Sequence, residues 1–188
     1  MELHGVKVVG PFHISTDPTH TDFVWDPQKL QRMHEVAPFF TEDRLRVVVS
    51  FLDENDPDIS LRDLDHVVTH MAPVTPMSWE HDGAVVSLHC VYRTWLSTWK
   101  RRMFDCFRRF ERVYFRVDGQ WYGTTPAQLN FFYFAFGNGL LTYARSVSDT
   151  IHTHRRAWAR ARKASTTDKE PLCEQTFQVV SIPCVVKF

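Results

Sequence analysis

Two clusters of basic residues are the strongest candidates for a functional site in this 188-residue chain. In the first cluster, cations are interleaved with Phe104, Phe107 and Phe110, and arginines beside exposed aromatic rings commonly contact phosphates and stack on bases. The second cluster lies in the last turns of a predicted helix, so its charges point to more than one side. We expect nucleic acid to contact Lys100, Arg101, Arg102, Arg108, Arg109 and Arg112 in the first cluster and Arg155, Arg156, Arg160, Arg162 and Lys163 in the second.

A structural role would explain the same residues. The phenylalanines could belong to the core with the arginines as its rim, and cations in the last turns of a helix stabilise its dipole. Charge is also divided along the chain, although the net charge is zero. Residues 1–92 contain 6 basic and 15 acidic side chains, a net charge of −9, whereas residues 93–163 contain 14 and 4, a net charge of +10. The acidic region could therefore neutralise the basic region, within the chain or between subunits.

Other chemistries have weaker support in the sequence. His66 and His70 would share a helix face, and His152 and His154 form a second pair, but no Cys-x-x-Cys or His-Glu-x-x-His motif accompanies them. The acidic turn of residues 53–58 could bind a divalent cation through its carboxylates, yet it lacks the glycine that positions such ligands. A solvated turn is the simpler interpretation.

Cys106 is the one candidate nucleophile, because the neighbouring arginines could lower the pKa of its thiol. No partner base is identifiable, and the chain has no Gly-x-Ser-x-Gly motif, phosphate-binding glycine loop or dinucleotide fingerprint. We therefore expect no enzyme and no cofactor.

The elements that would position the basic clusters are clearest between residues 111 and 140. Alternating apolar residues at 113–117 predict a strand, and Asp118-Gly119 predicts a tight turn into a second strand. Thr125 and Gln128 form a capping-box pattern around Pro126, which suits the first helical position. The helix that follows is apolar nearly all round, so it should be buried, and the glycines at 137 and 139 should end it.

Weaker patterns give the rest of an α+β fold, with an acidic part over residues 1–76 and a basic part over 77–188, or one continuous domain. Pro73 and Pro76 suggest the boundary. The predicted strands are 5–14, interrupted at Gly10-Pro11, then 45–51 and a terminal strand over 177–188; the predicted helices are 27–37, 60–71, 88–103 and 139–163, the last followed by a linker over 164–172.

Composition places the chain among folded proteins, since 44% of its residues are hydrophobic. No apolar run approaches the roughly 20 residues of a membrane span, and no secretory signal is visible. The four cysteines show no paired spacing, which favours free thiols in a reducing compartment. The expectation is an intracellular protein.

From Tyr92 onward the order of motifs resembles a family of uncharacterised conserved proteins of nucleocytoplasmic large DNA viruses. The resemblance rests on Tyr-Arg-Thr-Trp-Leu-Ser-Thr-Trp-Lys-Arg-Arg-Met-Phe-Asp-Cys-Phe-Arg-Arg-Phe-Glu-Arg-Val, then Thr-Thr-Pro-Ala-Gln-Leu-Asn-Phe-Phe and Gly-Asn-Gly-Leu-Leu-Thr-Tyr. Cys106 stands where that pattern has a proline. The resemblance implies a viral protein in the host cytoplasm or nucleus, or in the virion.

Residues 112–129 are also similar to the potassium-channel tetramerisation type of fold, which would imply a protein–protein interaction module.

These observations predict a non-enzymatic viral protein that binds nucleic acid or a nucleoprotein assembly through its basic clusters. The alternative is an interaction or virion structural module in which acidic and basic parts pair between subunits of a homo-oligomer.

Overall fold

A four-stranded antiparallel sheet joins the beginning of the chain to its middle. The computed structural model describes residues 6–15, 27–99, 101–107 and 111–167. Its strands are β1 (Val6–Val9), β2 (Phe12–Ser15), β3 (Ser78–His81), β4 (Ala84–Ser87), β5 (Val113–Val117) and β6 (Gln120–Thr124). The sheet has the order β1-β2-β5-β6, and β3 and β4 form a separate hairpin.

Seven α-helices pack with these strands in the described ranges. They are α1 (Pro27–Val36), α2 (Glu42–Leu52), α3 (Leu61–His66), α4 (Leu88–Thr98), α5 (Pro126–Gly137), α6 (Leu140–Ser146) and α7 (Ser148–Thr167). A wider π-helical turn, Val67–Met71, extends α3, and short 3₁₀ turns cover Ala37–Phe39 and Arg101–Met103. The α+β class predicted from the sequence is confirmed.

The β5–β6 hairpin and α5 form as their local sequence predicts. Val113, Phe115 and Val117 are buried, and Asp118 and Gly119 take the positive φ values, 48° and 83°, that a tight turn requires. At the start of α5, the Thr125 hydroxyl accepts the backbone N–H of Gln128 at 3.2 Å. The Gln128 side chain accepts a hydrogen bond from the Thr124 hydroxyl instead of closing the capping box.

Helix α5 is buried along most of its length and occupies the centre of the core. Phe131, Phe132 and Phe134 are fully buried, and they contact aromatic rings from α2 and α4 as well as each other. Asn130 is buried too and donates a hydrogen bond to the Met103 carbonyl at 3.2 Å. This bond fixes the Arg101–Met103 turn to the core, while the side chains of Arg101 and Arg102 remain exposed.

The strand predicted at residues 45–51 is wrong, because this segment is helix α2. Thr41 caps its N-terminus, with Glu42 and Asp43 in the first turn, where carboxylates stabilise a helix dipole. Leu45, Val48 and Phe51 are buried at helical spacing. The half-buried valines between them produced the apparent alternation.

The other differences from the prediction concern two hairpins and the ends of two helices. The interrupted strand at 5–14 is the β1–β2 hairpin, and residues 78–87 form a hairpin that was not predicted. The long helix predicted from residue 139 breaks at Val147 into α6 and α7, and α7 runs to Thr167, into the predicted linker. The helix predicted over 88–103 ends at Thr98, and the terminal strand over 177–188 lies outside the described residues.

The sheet and the core connect the acidic and basic parts of the chain. Strand β2 pairs with β5 from Phe12–Phe115 to Ile14–Val113. The buried hydrophobic residues of both parts form one cluster. None of the helices in the described ranges is long and apolar enough to cross a membrane.

Candidate functional site

Phe107 lies at the centre of a grooved surface that both basic clusters line. Its ring is 42% exposed, and it borders three neighbouring grooves with volumes of about 460, 440 and 470 Å³. These grooves lie along α3, between the Arg101–Met103 turn on one side and α7 on the other. We call this surface the Phe107 groove and define it by Arg62, Arg101, Arg102, Phe107, Arg155, Trp158 and Arg162.

The groove brings together residues that are distant in the sequence. Arg101 and Arg102, from the first cluster, line it beside Phe107. Arg155 and Arg162, from the second cluster, line it from the opposite side. Arg62 on α3 contributes a further cation, with its guanidinium carbon 5.9 Å from the centroid of the Phe107 ring. The carboxylates of Glu54, Asp65 and Asp105 also line these grooves, so the five arginines exceed the acidic side chains by two. An exposed ring among such an excess of arginines fits contact with a phosphate-bearing, aromatic ligand.

Helical geometry divides the second basic cluster between two faces of α7. Residues three and seven apart share a face, so Arg155, Trp158 and Arg162 point to the groove together. The Arg162 guanidinium lies 5.3 Å from the Trp158 ring. Arg156, Arg160 and Lys163 lie on a second face, about 130° further round the helix, and their side chains are exposed. The groove therefore uses two of the five predicted residues.

The first cluster is also divided. Phe104 is buried and packs edge-on against Trp95, so it belongs to the core. Arg112 is exposed just before β5 and is not among the residues that line the groove. The predicted site residues Lys100, Arg108 and Arg109 lie outside the described residues.

Three histidines and a tryptophan form the wall of the groove between α3 and α7. His66 Nε2 and His154 Nδ1 are 2.9 Å apart, which is hydrogen-bonding distance. The His66 and His70 rings stack with centroids 5.0 Å apart, and Trp158 contacts both edge-on. In the described part of the chain, no group of three or more His, Cys, Asp or Glu side chains is arranged to hold a metal ion. His66 and His70 thus meet His154 in a packed cluster, while His152, the other member of the second pair, lies beside Asp63.

Asp63 fixes Arg155 at the edge of this cluster. Its carboxylate is buried, closes a capping box with Ser60, and lies 2.8 Å from Arg155 Nη1 and 3.5 Å from His152 Nε2. Burial alone would raise the pKa of Asp63. The hydrogen bonds from Ser60 and the nearby charges of Arg155 and His152 outweigh burial and hold that pKa below its ordinary value. Arg155 therefore lines the groove as a partner of a carboxylate.

The pKa of His66 predicts a loss of stability in mild acid. Burial is the largest of the causes that lower it from 6.5 to about 4, and the charges of His70, His154 and Arg155 act in the same direction. Between these two pH values the unfolded chain binds a proton that the folded protein does not, so stability present above pH 6.5 is lost as the pH falls towards 4. From pH 7 to pH 5 this one group should cost about 2 kcal/mol.

Urea unfolding at pH 7 and pH 5 measures this effect, and H66Q should remove most of it because glutamine carries no titratable proton. His34 is exposed on α1, so H34Q is the matched control and should keep the wild-type difference. Asp65 has a raised pKa and acts in the opposite direction above pH 3.8, but it is present in all three proteins. An H66Q protein as acid-sensitive as the wild type would contradict the assignment.

The reactive thiol suggested for Cys106 is contradicted by its burial. The side chain is fully buried, and burial raises its pKa far above the ordinary value, with a further increase from the nearby carboxylates of Asp65 and Asp105. Its Sγ lies 4.0 Å from Asp65 Oδ1. The neighbouring arginines therefore do not produce a thiolate, and Cys106 is a core residue.

The acidic turn at 53–58 is partly a structural element. Asp56 accepts hydrogen bonds from Arg145 Nη2 at 2.5 Å and from the backbone N–H groups of Asp58 and Ile59. Burial acts to raise the pKa of Asp56, but these bonds reverse the shift and hold it below the usual range. Asp53, Glu54 and Asp58 are exposed. This arrangement fits a turn that anchors α6 better than a cation site.

Several ion pairs join the acidic and basic parts inside the chain. Asp63 pairs with Arg155 and Asp56 with Arg145, while Arg46 pairs with Asp118 at 2.9 Å. Lys29 forms a buried ion pair with Glu111. The first two pairs neutralise part of the charge division within the fold, whereas Arg46 and Lys29 are cations of the acidic part paired with carboxylates of the basic part.

Sequence reasoning missed Arg62, Trp158 and the histidine cluster as groove residues. The spacing of His66 and His70 indicates a shared helix face, whereas Trp158, seven residues after Ile151, has the spacing of an apolar residue that faces the core. Arg62 had no distinguishing pattern. Only the packing of α3 against α7 brings these residues beside Phe107.

Comparison with known proteins identifies the family of the chain but assigns it no activity. A family model described as a family of unknown function, DUF7197, matches residues 18–175, which is most of the chain. No curated protein and no solved structure gave a significant match. On the extent of the family match, the chain belongs to DUF7197.

Proposed function

We propose that this protein binds single-stranded nucleic acid in the Phe107 groove and has a binding role rather than a catalytic one. The observation that carries the proposal is the convergence of two distant basic clusters on one exposed aromatic ring. Arg101 and Arg102 border Phe107 from one side, and Arg155 and Arg162 line the groove from the other.

The exposed ring favours single strands over duplex. A base can stack on Phe107 only where it is unstacked from its neighbours, and such stacking tolerates any sequence because every base has a π face. Arginines along the groove supply the contacts to the phosphates on both sides of the stacked base. The resemblance to proteins of nucleocytoplasmic large DNA viruses supports a role in an infected cell, in its cytoplasm or nucleus, or in the virion.

The salt dependence of binding tests this function. If three to five groove arginines contact phosphates, raising the salt from about 50 to 200 mM should weaken single-strand binding roughly 20- to 100-fold. Fluorescence anisotropy with a labelled oligothymidylate and with a matched duplex measures both affinities. No binding of either at low salt would reject the proposal.

A matched pair of double variants locates the contact. R101Q/R102Q removes two groove cations and should flatten the salt dependence, whereas R156Q/R160Q removes two exposed cations from another face of α7. The second variant should bind as the wild type does. Equal losses in both variants would indicate attraction by overall charge and no defined groove.

An interaction module is the second candidate, with acidic and basic parts pairing between subunits. The ion pairs inside one chain weigh against it, because Asp56 and Asp63 of the acidic part already have cationic partners in the basic part. It predicts salt-sensitive oligomers, so a monomer at low salt in sedimentation would count against it.

A further inference from the structure

A second cavity borders the groove through Arg102. It has a volume of about 330 Å³ and lies between α1 and the segment that follows α4. We call it the Arg32 pocket and define it by Lys29, Arg32, Glu35, Trp99 and Arg102. Because Arg102 lines both this pocket and the Phe107 groove, the two are neighbouring parts of one surface.

Arg32 is an unusual residue for a pocket wall, since it is charged and only 8% exposed. Its guanidinium carbon lies 3.7 Å from the centroid of the Trp99 ring, which holds the plane of the group in place. Nη1 donates to Glu35 Oε2 at 2.9 Å, and the buried Nε has no hydrogen-bond partner among the described residues. A buried donor without an acceptor is costly, so Glu35 alone does not satisfy this guanidinium, and an anion in the pocket would contact its terminal nitrogens.

The composition of the pocket indicates which anion. Arg32 and Arg102 supply two guanidinium groups, Lys29 supplies a third cation that is already paired with Glu111, and Glu35 is the one carboxylate among the residues that line the pocket. Arginine held in a fixed plane binds the paired oxygens of phosphate by two parallel hydrogen bonds. A phosphate monoester carries up to two negative charges and presents three acceptor oxygens, which suits several converging cations better than an internal phosphodiester does.

We propose that the Arg32 pocket binds a phosphate monoester, the terminal phosphate of a nucleic-acid strand lying in the Phe107 groove. Its location at the strand end rests on the proposed function, because only a strand in the groove would place a terminus beside Arg102. A free mononucleotide carries the same chemical group, so the experiment must separate the two sources.

Oligothymidylates of about eight nucleotides, within the site sizes of single-strand binding surfaces, are the probes. One carries a 5′-phosphate, one a 3′-phosphate and one hydroxyl groups at both ends. We expect one phosphorylated end to bind about tenfold more tightly than the unphosphorylated strand, as charge-assisted bidentate contacts allow. Equal affinity of all three strands would overturn the pocket assignment and leave the proposed function standing.

Thymidine monophosphate and thymidine are the second arm, as competitors against the phosphorylated strand. The pocket assignment is supported if thymidine monophosphate, but not thymidine, displaces the phosphorylated strand. The same concentration of monophosphate should leave the unphosphorylated strand bound. If no strand binds but the monophosphate does, the pocket takes a free nucleotide and the proposed function fails by itself.

Two variants assign the effect to Arg32. R32Q should abolish the preference for the phosphorylated end and keep the affinity for the unphosphorylated strand, with R156Q as the control of equal charge change. R32Q also removes the packing of Arg32 on Trp99, which contributes to the stability of the fold. E35Q keeps that packing and so provides an independent readout. Removing the competing carboxylate should increase the phosphate preference about threefold or more, and an unchanged preference in E35Q would overturn the proposal.

Discussion

F107A is expected to weaken single-strand binding by about tenfold or more while leaving the thermal stability unchanged. Stacking of one base on an aromatic side chain contributes about 1 to 3 kcal/mol by alanine substitution, which corresponds to a factor of roughly 5 to 150 in affinity. Phe107 is 42% exposed in the free protein, so its truncation leaves no core cavity. The affinity loss should therefore exceed any loss of stability.

Anisotropy titrations of F107A, F107W and the wild type at one salt concentration measure the effect. F107W keeps a stacking face and should bind at least as tightly as the wild type. Trp121 is the matched control, since it is 51% exposed but lies on the outer face of the sheet, near His13. W121A should bind normally, and a loss there as large as in F107A would show that the assay does not report on the groove.

The sequence predicted best the elements whose signals are local. The turn at Asp118-Gly119, the cap at Thr125 and the all-round apolar helix α5 each depend on neighbouring residues, and each is present. The same kind of signal was overlooked at Asp82-Gly83, where both residues take positive φ in the turn of the β3–β4 hairpin. Its four-residue strands contain no buried residue: β3 alternates only between exposed and half-buried side chains and β4 does not alternate, so the turn is the clearest signal.

The groove was harder to predict because burial separated residues of the same type. Phe104 and Phe107 stand three positions apart among the same cations, yet one packs on Trp95 and the other is exposed. Arg155 and Arg156 are neighbours on α7, but only Arg155 faces Asp63 and the groove. Such differences depend on how α3 packs against α7, which residue types and spacing do not encode locally.

Asp63 stabilises the fold and also pairs with a cation of the groove. Among the substitutions described, its replacement should lower the free energy of unfolding most. Its carboxylate is buried and accepts hydrogen bonds from the Ser60 backbone N–H at 2.9 Å and the Ser60 hydroxyl at 2.6 Å. D63A removes the Asp63 half of the capping box, worth about 1 kcal/mol, and leaves Arg155 without its carboxylate. Breaking a buried pair costs about 3 to 5 kcal/mol, but Arg155 is partly exposed and can regain water, so we expect a total of about 3 kcal/mol.

The same change should release Arg155 for contact with a phosphate. D63N keeps the size of the side chain and removes its charge, so it should unfold at lower urea than the wild type yet bind single strands several-fold more tightly. Urea unfolding at pH 7 and anisotropy on the same preparations measure the two effects together. Asp58 is an exposed carboxylate on the loop before α3, and D58N, the control of equal charge change, should alter neither quantity. If D63N lost stability without gaining affinity, Arg155 would be a structural residue and the groove would bind through its remaining cations.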